Sequence, residues 1–139
     1  MPQPGQALLE TALVVPLLLL LTFGVVGAGR LVQAQLGVSA VAREAARAAA
    51  LVTGAEAAAS QGRAHGQEVA AGYHLTNGSL RVSVDPGAFA RGGQVHASAR
   101  YEVALADLPL MGWARVAVSS QHVERLDLYR SRWTEREER

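Results

Sequence analysis

Between Glu10 and Arg30 lie nineteen residues without a charge, TALVVPLLLLLTFGVVGAG. At about 1.5 Å per residue, a helix of that length spans roughly 28 Å, close to the hydrocarbon thickness of a bilayer. Its five consecutive leucines, Leu17 to Leu21, together contribute roughly −1.5 to −3 kcal/mol of insertion free energy. A soluble chain of this size has no core able to surround such a helix on all sides. The pattern therefore predicts a membrane helix through this run, ending at Gly29. Beyond Arg30 the apolar positions Leu31, Ala34, Val38, Val41, Ala42, Ala45 and Ala49 recur at spacings of three and four. That periodicity continues the helix to about Leu51 with a narrow stripe of mostly small side chains. The stripe suits an internal packing face, or contact with a neighbouring subunit as the alternative.

Thr53-Gly54 reads as a stop, and a second helix is expected over Ala55 to Ala71, with Ser60, Gly62 and Gly66 as weak points in its interior. After Tyr73 the period changes from helical to alternating. Asn77-Gly78 marks a turn, LRVSV (80–84) alternates, and Asp85-Pro86-Gly87 turns the chain again. In QVHASARYEVAL (94–105), Val95, Ala97, Ala99, Tyr101, Val103 and Leu105 share one face. Gln94, His96, Ser98, Arg100 and Glu102 share the other, as in a half-buried antiparallel strand. A loop, ADLPLMG, leads to a third strand near Trp113 to Val123, with Val116 and Val118 inward. The fold class is thus α+β: a long N-terminal transmembrane helix, a second helix, and an antiparallel sheet of about three strands packed on the helices. Residues 30–72 form the helical part, 73–123 the sheet region, and 124–139 a densely charged tail, helical or frayed.

Composition narrows the function classes. The net charge is +1, and the thirteen basic residues, all arginine, form no single patch, so nothing points to nucleic acid. The absence of cysteine excludes disulfides, thiolate zinc sites and cysteine nucleophiles. His65, His74, His96 and His122 make no H-x-x-x-H pair. His96 and His122 are placed to face one another on the solvent side of adjacent strands, which is an incomplete metal site. No catalytic residue, metal, cofactor or small-molecule substrate is implied. Asn77-Gly78-Ser79 matches a glycosylation acceptor, with a turn as the favoured role. Met111 and Trp113 form either a contact surface or, as the favoured reading, a loop anchored in the core.

Glu10 requires its own account, because a carboxylate at the lip of an apolar run opposes membrane entry. Removal as a secretory signal after the small residues Gly27-Ala28-Gly29 is the lesser alternative, because it requires a basic n-region and residues 1–9 contain no arginine or lysine. Gly5, four further residues, Glu10 and an uncharged run resemble instead the class III signal of type IV pilins and pseudopilins. The stretch GQALLETALVVPLLLLLTFGVVGAGRL followed by AREAARAAAL is similar to the TadE-like family of Flp/Tad pilus assembly proteins. Gly5, Glu10, Pro16, Leu17 to Leu21, Phe23-Gly24 and Gly29-Arg30 carry the resemblance. Thr11 and Ala28 depart from it, where the family favours bulkier or acidic residues.

The resemblance implies removal of the leader, residues 1–5, by a prepilin peptidase between Gly5 and Gln6, which leaves 6–29 as the transmembrane helix. Glu10 would then lie about one helical turn from a cationic α-amino group and near the positive end of the helix dipole. It further implies pairing of Glu10 with the terminus of a neighbouring pilin or pseudopilin subunit, and partnership with the Tad assembly platform. Pro16 removes the hydrogen bond to the Ala12 carbonyl, which makes it either a tolerated membrane proline or a kink that acts as a hinge. The arginines following the span would alone place the C-terminal part in the cytoplasm. The resemblance implies the reverse: a single pass through the bacterial inner membrane, an extracytoplasmic C-terminal domain, and Arg30 reaching for the outer headgroups. The alternative function is an extracytoplasmic binding module on a single membrane anchor, unrelated to pilus assembly.

Overall fold

A computed structural model of the chain describes residues 4–109 and 112–127. Helix α1 runs from Pro4 to Leu51 as one element of 48 residues, passing through Pro16 and across Arg30 without interruption. Helix α2, Ala55–Gly72, returns antiparallel along its second half. Strands β1 (Arg81–Asp85), β2 (Gln94–Ala104) and β3 (Arg115–Arg125) follow as an antiparallel meander in the order β1-β2-β3. Both helices cover one face of this sheet. The architecture is the α+β arrangement that the change of period predicts.

The stop between the helices is Gly54, whose φ of 103° lies where a side chain is strained. The far end of α2 closes without glycine. His74 takes the left-handed conformation (φ 59°), its N–H donates to the Ala71 carbonyl, and the Leu75 N–H donates to that of Ala70. This is a Schellman closure, and buried Leu75 supplies its apolar contact.

The predicted faces fit the burial closely in β2, where Val95, Ala97, Ala99, Tyr101 and Val103 are all buried and Leu105 follows them inward. The small-residue stripe of α1 is an internal packing face: Ala34, Val38, Val41, Ala42, Ala45 and Ala49 are buried against α2 and the sheet, and Leu31 packs at their edge. In β3, Val118 is buried. Val116 shares its face, opposite Val103, but stays 37 % exposed at the rim. The strand extends to Arg125, two residues into the stretch assigned from its charge to the tail. Leu126 then turns inward, its N–H donating to the Gly93 carbonyl at 2.9 Å. The remainder of the tail, from residue 128, lies outside the described residues. Asn77-Gly78-Ser79 is a turn in fact: the Asn77 amide donates to the Glu102 carbonyl (2.8 Å) and the Ser79 hydroxyl accepts from the Glu102 N–H (3.0 Å). Two side chains thus continue the sheet edge before β1 begins.

Two of the three interior weak points of α2, Gly62 and Gly66, prove to lie on its contact surface, whereas Ser60 is exposed. Ala58, Gly62, Gly66 and Ala70, one turn apart, are its buried residues. A Cβ on Gly62 would stand 2.8 Å from the Ala45 carbonyl oxygen and 3.0 Å from Ala49 Cβ; one on Gly66 would meet Val82 at 3.1 Å and Ala45 at 3.2 Å. Helix propensity favours alanine over glycine by about 1 kcal/mol, whereas forcing a methyl group into a packed contact costs about 1–3 kcal/mol. The obstacle at Gly62 is backbone, so the second effect wins. Gly62→Ala should lower the thermal midpoint, while Gly72→Ala, which meets nothing within 4 Å, should leave it level or raise it. Circular dichroism melts of both variants in detergent measure the contrast.

Candidate functional site: the membrane anchor and its collar

The N-terminal half of α1 stands clear of the domain. Leu8, Leu9, Leu13, the leucines 17–21 and Val25 are all exposed, Leu13 at 72 %. This is the one helix among the described residues that is long and apolar enough to cross a membrane, and almost none of its most apolar window is buried. Its helical backbone is internally hydrogen-bonded, as a lipid environment requires, except that Pro16 has no N–H to donate to the Ala12 carbonyl. The hydroxyls in it are also satisfied locally: Thr11 Oγ1 donates to the Ala7 carbonyl (2.9 Å) and Thr22 Oγ1 to that of Leu18 (2.8 Å). Gly5, Gln6 and Glu10 are exposed at the end of this rod within its first two turns, Glu10 one turn beyond Gln6, and Pro16 lies inside it.

Where the rod meets the domain, the hairpin between β2 and β3 forms a collar. Because β2 runs antiparallel to α1, its C-terminal end points toward the apolar half. A Cβ on buried Gly27 would lie 3.5 Å from Leu108 Cδ1. Phe23 packs, half-buried, against the cluster that contains Leu105 and Leu108. One turn further, Arg30 Nη1 donates to Asp107 Oδ1 at 2.5 Å. Gln35 Nε2 then donates to the Ser119 carbonyl at 3.2 Å. Arg30, expected to reach for headgroups, is thus committed to a partner 77 positions away in sequence. The hydrogen bond from Arg30 is the main reason the Asp107 carboxyl is held below the usual carboxylate range, and the same contact raises the guanidinium's pKa.

Two expectations about the loops change. His96 and His122 do not face one another: the register pairs His96 with Val123 and Ala97 with His122, so the two imidazoles lie on opposite faces of the sheet. His122 Nε2 lies 3.5 Å from a Glu124 carboxylate oxygen on its own strand. Among the described residues no cluster of three or more potential metal ligands occurs. The favoured reading of the ADLPLMG loop holds for Leu105 and Leu108, which anchor it in the core, but fails for Trp113, which is 86 % exposed. Met111 lies outside the described residues. The collar itself was not visible in the sequence, since neither Asp107 nor Leu108 belongs to any local motif.

The TadE-like protein family model matches residues 5–47. This is the family whose pattern the chain resembles, and the match runs from Gly5 through the whole apolar rod to the alanine-rich turn at Arg47. No curated protein and no solved structure matches the chain.

The Arg30–Asp107 contact carries a pH signature. Since the folded-state pKa of Asp107 lies below its ordinary value of 3.8, its contribution to stability is complete above that value and is lost as pH falls through the folded value. Asp107→Asn should therefore melt below the parent protein at neutral pH, and the gap should close below about pH 4. Melting curves across pH 3–7 in detergent would register this.

Proposed function

We propose that the chain is a TadE-like pseudopilin, a minor subunit or assembly factor of a Flp/Tad-type (type IVb) pilus, held in the bacterial inner membrane by its single apolar helix with the α+β domain outside the cytoplasm. The observation that carries this reading is the family match that starts on Gly5, coincident with a bare apolar rod whose one acidic residue stands near its tip. A prepilin peptidase cuts between Gly5 and Gln6. The new amine of Gln6 and the carboxylate of Glu10, separated by one helical turn, then present opposite charges at one end of the rod. In the lipid an isolated carboxylate is costly, so Glu10 is stabilised where a neighbouring subunit brings its own cationic terminus alongside. A misregistered neighbour leaves that charge unpaired, which gives the contact its selectivity. Pro16 supplies a hinge where the helix lacks one hydrogen bond. The role is structural: the protein contributes surfaces to an assembly and no reaction of its own.

Mass spectrometry of membrane-extracted protein should find the mature terminus at Gln6. Gly5→Ala should leave the chain starting at its original N-terminus. Glu10→Gln should still be cut but should lose incorporation into sheared pilus fractions. A parent protein that retains Met1, or is cut beyond Gly27, would overturn the reading.

A further inference from the structure

The collar leaves one large side chain unexplained. Trp113 is 86 % exposed, the most exposed of the large apolar side chains among the described residues, on a hairpin that is otherwise well anchored. Leu105 and Leu108 are buried, the Leu105 N–H donates to the Ala114 carbonyl at 3.2 Å, and Ala114 packs at the edge of the core. The tryptophan is therefore held out by a fixed base. Its level along α1 is also fixed. Leu108 reaches Gly27, Asp107 holds Arg30, and Phe23 packs on the same cluster. Trp113, next to Ala114 on that base, thus lies near the level where the exposed apolar surface of the rod gives way to the covered half. Pro109 and Arg115, near it on the hairpin, are exposed as well.

We infer that the β2–β3 hairpin is a membrane-interface foot, with Trp113 seated in the headgroup region of the leaflet through which α1 leaves the bilayer. An indole combines a broad apolar body with one N–H donor, the combination that concentrates tryptophan at bilayer surfaces. Arg115, two residues on, is suited to lipid phosphate. The foot makes a second point of contact beside the helix. The Arg30–Asp107 pair then acts as a brace that holds the hairpin at the right depth.

This inference rests on the membrane reading of α1, and the experiment separates the two. The chain has two tryptophans, Trp113 and Trp133, so Trp133→Phe yields a full-length protein with one reporter. Reconstituted into phosphatidylcholine vesicles, it should show blue-shifted emission. Lipids brominated near the headgroup should quench it more than lipids brominated deep in the chains, and aqueous iodide should quench it little. The companion protein carries Leu18→Trp with Trp113→Phe and Trp133→Phe, and should be quenched most by the deep bromines. If Leu18→Trp is quenched deeply while Trp113 is reached by iodide and not by lipid, the span is inserted and the foot is overturned. A blue-shifted Trp113 that neither lipid nor iodide reaches is covered by protein, a second copy of the chain, which overturns it equally. If Leu18→Trp is not quenched by lipid, the anchor reading falls and the foot falls with it.

Discussion

One continuous helix has to serve two solvents. The first half of α1 presents leucine and valine on every side, and the second half buries a narrow stripe of small residues while exposing Arg43 and Arg47. A helix can do this because its backbone hydrogen bonds are internal and indifferent to what surrounds them. Only the side chains change at the boundary. The change is abrupt: Val26 is exposed and Gly27 is buried, and from there the domain is built on one face of the same rod.

What the domain lacks in bulk it recovers by closeness. The fully buried side chains of α1 and α2 are alanine and valine, and no polar or charged side chain is buried among the described residues. Individually such residues remove little apolar area from water. Glycine at positions 62 and 66 lets the two helix backbones approach until Ala45 and Ala49 touch them, and the gain comes from dense van der Waals contact along the whole interface. The sheet then closes the open side with the alternating face of β2. Its other face remains polar, as an antiparallel sheet with one wet side should be.

Much of this was legible because it is local. The uncharged run, the three-four spacing after Arg30, the glycine between the helices and the strict alternation of β2 are each contained in one continuous stretch of chain, and each appears where the pattern put it. What escaped was set by register or by distant pairing. Whether His122 falls on the face of His96 depends on a hairpin whose loop length is irregular, and one step of register reverses it. Gly62 and Gly66 read as helix defects because propensity counts only what a residue does to its own helix, whereas their value lies in the partner. The contact of Arg30 with Asp107 spans most of the chain. Of the anchor, the composition was plain, and the roles expected of Gly5, Gln6 and Glu10 rest on resemblance alone; the hairpin collar at its base came only from the fold.

The absence of any break in α1 at the membrane boundary has a mechanical consequence. Beyond Pro16 the helix has no swivel, so the domain must follow whatever inclination the second part of the apolar rod adopts. From the middle of the span to Leu51 is about 34 residues, or roughly 51 Å of helix, so a lean of about 20°, ordinary for a membrane helix, swings the far end sideways by about 17 Å. With α1 set in a bilayer, the protein is a lever with its short arm in the lipid, and small reorientations there become large displacements of the sheet.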